Sequence, residues 1–154
     1  MEHAGYPNGL GITPTEICTS LAIDHDKTHR RHIIELNGSP IGEMNYRNKG
    51  EGVAEIGIKI CDLSQQKKGL GTTLLSMFID TLFNCYGYKK IILNTNTKNL
   101  HAQHVYKKLG FRQLWVKENS WRDQLGQLQS QIDYELTRQE WQMSVTCGHA
   151  GTKR

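Results

Sequence analysis

The stretch from Gln66 to Gly71 reads Gln-Lys-Lys-Gly-Leu-Gly, and an amphipathic segment starts directly after it. Leucine or phenylalanine recurs there every four residues from 70 to 82, which predicts a helix over about 70–86. The first amides of a helix have no intrahelical acceptor, and they lie at the positive end of its dipole. With two glycines that lack Cβ atoms and two lysines, this turn is a candidate site for a phosphate or pyrophosphate.

The turn matches neither of two common phosphate-binding loops. A Walker loop needs a lysine directly after its second glycine, and no lysine follows Gly71. A dinucleotide-binding loop needs a third glycine at the position where Leu74 stands. Taken alone, the turn is equally well interpreted as a tight connection between a strand and a helix, with no ligand.

Length and composition predict one compact domain and are compatible with a small anionic ligand. The chain has 154 residues, enough for a single core. The net charge of +4 suits an anionic ligand, and the basic residues are not interleaved with aromatic ones, so no nucleic acid partner is predicted. No apolar stretch reaches the length of a membrane span. The N-terminus has no signal-peptide pattern, so we expect a cytoplasmic protein with no membrane partner.

The cysteines predict neither a metal site nor a redox pair. Cys18, Cys61, Cys85 and Cys147 are scattered, and no two of them form a Cys-x-x-Cys motif. In a cytosolic chain they are expected to be reduced thiols.

Hydrophobic periodicity and turn residues predict an α/β domain with a mixed sheet. Thr13, Pro14 and Glu16 form a helix-start pattern, and Asn37-Gly38 is typical of a hairpin. Residues 1–12 are expected to be irregular, residues 13–141 to form the domain, and residues 142–154 to be a mobile tail. The predicted elements are helices over 13–23, 70–86 and 99–109 and strands over 31–36, 40–46, 53–61, 89–94, 111–117 and 129–138.

Two motifs, in this order, resemble the GNAT superfamily of N-acetyltransferases, which use acetyl-coenzyme A. The first is Gln66-x-x-Gly69-x-Gly71 between a strand and a helix. The second starts at Asn99, continues through Ala102 and ends with Tyr-x-Lys-x-Gly-Phe over 106–111. The segments 54–58 and 121–136 look most like the branch of ribosomal-protein alanine and spermidine acetyltransferases.

The resemblance implies a fold, a reaction and a set of site residues. The fold is a mixed, mostly antiparallel sheet flanked by helices, and its first strand is missing in this chain. The reaction is direct attack of a primary amine on acetyl-coenzyme A, with Tyr106 as general acid and Glu55, acting through a water, as general base. The coenzyme-binding residues are Ile58, Lys59, Ile60, Gln66, Lys67, Lys68, Gly69, Leu70, Gly71, Thr72, Asn94, Asn99 and Tyr106.

Several alternatives stay open on the sequence. Tyr106 also suits a packing role beside Val105, and Asn99 is a sufficient N-cap. Glu55 is at least equally well interpreted as a solvent-facing strand residue. His101 and His104 fit surface positions better than catalytic ones. The acceptor is a small-molecule amine or a peptide N-terminus. A homodimer is expected, because the missing strand leaves apolar surface and a sheet edge uncovered. The alternative function is a coenzyme A-binding module without catalytic activity; an RNA-binding function has less support.

Overall fold

The computed structural model describes residues 11–66 and 68–149, and the side chains of 145–149 are outside this description. Most of the N-terminal segment predicted to be irregular, and Lys67, therefore lie outside the described residues. The elements are α1 (Pro14–Ala22), β1 (His29–Leu36), β2 (Ser39–Gly50), β3 (Val53–Ile60), a 3-10 turn (Leu63–Gln65), α2 (Leu70–Asn84), β4 (Lys90–Asn96), α3 (Leu100–Lys108), β5 (Arg112–Arg122), β6 (Leu128–Thr137) and α4 (Arg138–His149).

The six strands form one sheet in the order β1-β2-β3-β4-β6-β5. Neighbours are antiparallel except for β3 and β4, which are parallel. The predicted mixed and mostly antiparallel sheet is thus confirmed. In the described part of the chain no strand precedes α1.

The core lies on one face of this sheet, where α2, α3 and α4 pack. Cross-strand pairing puts Ala54, Ile91 and Leu136 on the same face. These residues share a core cluster with Leu82 of α2 and with Trp141 of α4. Because side chains alternate along a strand, the residues between them turn to the opposite face, which carries α1 at one end. Ser20 and Asp24 attach α1 and the segment after it to Arg31 of β1.

The start of α1 agrees with the predicted capping pattern. The amide of Glu16 donates to the Thr13 hydroxyl at 3.2 Å. The Thr13 amide in turn donates to the Glu16 carboxylate at 2.7 Å, so both halves of a capping box are present.

Several element ends differ from the sequence prediction; β2, for example, continues to Gly50, beyond the predicted end at 46. β5 continues to Arg122, beyond the predicted end at 117, because its backbone pairs with β6 even where its side chains are polar. Helix α4 continues through residues that were predicted to be an aperiodic tail. Its start is a second capping box, in which the Glu140 carboxylate accepts from the Thr137 amide at 2.8 Å. This Thr-x-x-Glu signal is visible in the sequence and was missed.

Candidate active site

Strands β3 and β4 separate after a short paired segment. They pair only over Val53–Glu55 and Lys90–Ile92. Beyond it, β3 stays paired with β2 and β4 with β6, so the two inner strand edges face a gap. Backbone N–H and C=O groups along these edges are available to an extended ligand, as at the edge of a sheet.

The gap opens into a cavity of about 1310 Å³, which we call the fork cavity. It is bordered by both strands, by the N-termini of α2 and α3, and by residues of β5 and β6. Ten of the predicted site residues line it: Ile58, Lys59, Ile60, Gln66, Gly69, Gly71, Thr72, Asn94, Asn99 and Tyr106. Lys68, Leu70 and Glu55 are absent from its lining. The topology thus joins motifs that are far apart in sequence.

The N-terminus of α2 forms one end of the cavity. Gly69 is its N-cap and has a left-handed φ of 78°, which a residue with a side chain rarely adopts. A Cβ on Gly71 would meet only the Ile60 side chain, at 3.9 Å, so this glycine leaves room for a ligand rather than for the protein. The Gln66 side chain donates to the Ile60 carbonyl at 2.9 Å and thereby attaches the turn to the end of β3.

Fewer backbone amides are free to bind a ligand at this end of the cavity than the sequence suggested. The Thr72 amide donates to the Gly69 carbonyl at 3.1 Å, so it is already used within the turn. The amides of Leu70 and Gly71, at the first two helical positions, have no acceptor within the helix. Lys68 is exposed beside them and adds positive charge.

Tyr106 lies in the wall of the cavity and is 8% exposed. Its ring packs edge-on against Tyr134, with 5.6 Å between ring centroids, and against Phe111. Burial, together with the neighbouring Tyr134, raises the pKa of Tyr106 to about 12. The phenol therefore keeps its proton at neutral pH and is available as a donor to a group in the cavity.

The start of α3 borders the cavity. The Asn99 side-chain oxygen accepts from the Ala102 amide at 3.1 Å, so Asn99 is an N-cap and also lines the cavity. His101 is exposed and lines the cavity, whereas His104 is exposed and does not line it.

Glu55 is not brought into the cavity. It lies in the short segment where β3 and β4 are still paired, and its carboxylate forms an ion pair with Lys49 at 3.3 Å. The geometry therefore gives no support to Glu55 as the general base. Among the described residues, no group of three or more His, Cys, Asp or Glu side chains is arranged to hold a metal ion.

Several cavity residues were missed by sequence reasoning. Trp121 and Gln131 come from β5 and β6, and Thr95, Asn96 and Lys98 follow the predicted end of β4. Only the strand register brings β5 and β6 to the cavity, and no local pattern announces it. The Asn-rich end of β4 was the one available signal.

A search for membrane-crossing helices in residues 11–66 and 68–149 finds none that is long and apolar enough.

The chain is similar to known proteins in its sequence and in its fold. The chain is 34% identical to spermidine N(1)-acetyltransferase of Escherichia coli K12 in an alignment of 92 residues that covers 56% of this chain and 47% of that protein. It is 35% identical to aminoglycoside N(6')-acetyltransferase type 1 of Klebsiella pneumoniae over 92 residues, 52% of this chain and 46% of that protein. The chain thus spans about half the length of these curated relatives.

The fold is shared with solved acetyltransferases. Spermidine N-acetyltransferase from Vibrio cholerae, in complex with CoA and spermine, matches with a TM-score of 0.72 at 23% identity, over 83% of this chain and 75% of that one. Mycobacterium smegmatis RimJ, in complex with CoA-disulfide, matches with a TM-score of 0.73 at 20% identity, over 87% of this chain and 68% of that one. The Acetyltransferase (GNAT) family matches residues 6–111, well over half of the sequence. The chain belongs to the GNAT acetyltransferase family.

Proposed function

We propose that the protein transfers an acetyl group from acetyl-coenzyme A to a primary amine by direct attack. The observation that carries the proposal is the fork cavity, which connects the anion site at the start of α2 with the Tyr106 phenol. Curated relatives that are named for spermidine and aminoglycoside acetylation are consistent with an amine as acceptor.

The residues present fit the coenzyme. A pyrophosphate would be held by the amides of Leu70 and Gly71 at the positive end of α2, where the missing Cβ of Gly71 leaves space. The extended arm would lie along the free edge of β3 from Ile58 to Ile60. Asn94 and Asn99 border the same path.

Acetyl-coenzyme A would supply a thioester, at whose carbonyl carbon the amine forms a bond while the carbon–sulfur bond breaks. The residue that acts on the leaving sulfur in this proposal is Tyr106, whose hydroxyl gives up its proton. Its pKa of about 12 keeps the hydroxyl protonated at neutral pH, and the tyrosinate left after the transfer would regain a proton from water. The ammonium must lose a proton before attack, and we propose water in the fork cavity as the first acceptor of that proton.

The test is coenzyme A release with a panel of primary amines, measured for the parent and for Tyr106→Phe. Phe keeps the ring packing and removes the hydroxyl, so kcat should fall about 10-fold or more when chemistry limits turnover. The affinity for acetyl-coenzyme A should stay nearly unchanged.

Tyr134→Phe is the matched control. The substitution also removes one phenolic hydroxyl. Tyr134 packs against Tyr106 and does not line the cavity. Its hydroxyl is buried with no hydrogen-bond partner among the described residues, so its removal should leave kcat within about 2-fold of the parent. Saturable binding of acetyl-coenzyme A without release for any amine would instead favour a coenzyme A-binding module.

A further inference from the structure

A buried carboxamide lies beside the fork cavity without lining it. Gln129, at the start of β6, is 6% exposed and is absent from the cavity lining. Its Oε1 accepts from the Nδ2 of Asn96, which does line the cavity, at 3.1 Å. Its Nε2 donates to the Asp123 carboxylate at 2.7 Å. Gln129 therefore connects the wall of the cavity to the turn between β5 and β6.

The Asp123 carboxylate at one end of this connection is held by the backbone of the turn. Its Oδ1 accepts from the amides of Leu125 and Gln127, each at 2.9 Å. The Asp123 amide in turn donates to the Gln127 carbonyl at 3.0 Å. The carboxylate thus has a fixed position, and its second oxygen, Oδ2, is the one that accepts from Gln129.

Asn96, at the other end of the connection, holds the start of α3. Its Oδ1 accepts from the Lys98 amide at 2.9 Å, and its carbonyl accepts from the Asn99 amide at 2.9 Å. Asn99 is the N-cap of α3, and both Lys98 and Asn99 line the cavity. The position of Asn96 therefore determines where the turn into α3 lies against the cavity.

The hydrogen bonds between these two turns run in one direction. An ionised carboxylate only accepts hydrogen bonds, and a backbone amide only donates them. Asp123 at one end and the Lys98 amide at the other therefore fix which atom of each carboxamide is the donor. If Gln129 or Asn96 turned its amide over, two donors or two acceptors would meet, and a buried polar group without a partner is unfavourable.

We propose that Gln129 is a positioning residue for the coenzyme: through Asn96 it holds the turn over 96–99 in the place that acetyl-coenzyme A requires. The inference rests on the proposed function, in which Asn99 borders the path of the coenzyme. Gln129 itself does not touch the coenzyme in this proposal, because it lies outside the cavity lining.

This role predicts an effect on coenzyme binding rather than on the chemical step. Tyr106 lies further along α3, and ring contacts with Tyr134 and Phe111 hold it in the core. Displacement of the turn at the start of α3 should therefore raise the Kd and the KM for acetyl-coenzyme A. The kcat at saturation should stay within about 3-fold of the parent, whereas a general loosening of the fold would lower kcat as well.

The experiment exchanges the two hydrogen-bonding partners. Gln129→Glu brings two carboxylate oxygens together, and Asp123→Asn brings two amide nitrogens together, because Oδ1 of Asp123 is already bound to the turn. Each single variant should raise the Kd for acetyl-coenzyme A, measured by calorimetry, about tenfold. The double variant regains every hydrogen bond, with the direction of one reversed, and has the net charge of the parent. Its Kd should return to within about 2-fold of the parent value.

The signs of the two single effects separate positioning from charge. Asp123→Asn removes a negative charge and Gln129→Glu adds one, so a purely electrostatic effect on an anionic ligand would tighten binding in the first and weaken it in the second. Gln127→Glu adds the same charge at an exposed position of the turn and should leave the Kd unchanged. Gln129→Met keeps the length of the side chain without a charge, and it should raise the Kd even if a charged variant fails to fold.

Thermal unfolding identifies the variants that are folded at the temperature of the assay. A parent-like Kd in folded Gln129→Met, tighter binding in folded Asp123→Asn, or a double variant that binds no better than the single ones would overturn this inference and leave the proposed function intact. Failure of the parent protein to bind acetyl-coenzyme A would overturn both.

Discussion

At the scale of single residues, burial raises the pKa of four tyrosines, and the rise is large for two of them. Burial raises the pKa of Tyr106 to about 12, and it raises the pKa of Tyr46 to about 12 as well. Tyr106 lines the fork cavity, whereas the Tyr46 hydroxyl donates to the Asp26 carbonyl at 2.7 Å. Burial therefore raises the pKa of a proposed proton donor, Tyr106, and of a tyrosine with a structural hydrogen bond, Tyr46.

These two groups predict a loss of stability at high pH. A tyrosine in the unfolded chain ionises near pH 10, so between about pH 10 and 12 the folded state binds more protons than the unfolded state. The free energy of unfolding should therefore fall as pH rises through this window, by about 2 kcal/mol for each tyrosine. Urea unfolding between pH 9 and 11 should give a shallower fall for Tyr106→Phe than for the parent.

Met77→Leu, at a position that is 64% exposed, is the control for this pH effect, because it changes no ionisable group. It should leave the slope against pH as in the parent. An equally shallow slope in both variants would remove burial of Tyr106 as the cause.

At the scale of elements, the N-terminus of α2 is the proposed binding site for the pyrophosphate. Because a Cβ at Gly71 meets little of the protein, Gly71→Asp should fold and yet place bulk and negative charge at the anion site. We expect the Kd for acetyl-coenzyme A, measured by calorimetry, to rise about 100-fold or more, equivalent to about 3 kcal/mol.

Thr73→Asp adds the same charge to the first turn of α2, at an exposed position outside the cavity. Its effect on the Kd should be much smaller, because the carboxylate does not occupy the ligand's space. Tight binding by folded Gly71→Asp would show that the pyrophosphate binds elsewhere.

At the scale of the whole molecule, apolar side chains remain exposed around α1 and β1. Ile23 is 79% exposed and Ile33 is 56% exposed, and α1 itself buries none of its residues fully. We predict a homodimer that covers this surface, with a light-scattering mass of about twice 17.6 kDa at micromolar concentration. Replacement of both isoleucines by lysine should return the monomer mass, and a parent that is monomeric throughout would refute the prediction.

The sequence was sufficient for elements with a strong local signal. The hydrophobic repeat of α2, the capping residues Thr13 and Asn99 and the Asn37-Gly38 turn each act over a few residues, so their structure follows from composition and spacing. The extension of β5 and the length of α4 were not predicted, because pairing with β6 and packing of Trp141 in the core support them.

The sequence by itself determined the α/β class, the mixed sheet and the motif at the start of α2, because each depends on short-range periodicity or on one turn. Tertiary structure decided which of the predicted site residues lie together at the cavity. The separation of β3 from β4 created the cavity and left Glu55 outside it, and the pairing of β4, β6 and β5 brought Trp121 and Gln131 into its wall. That separation is a property of strand pairing over long distances in the chain, and a local pattern of residues does not contain it.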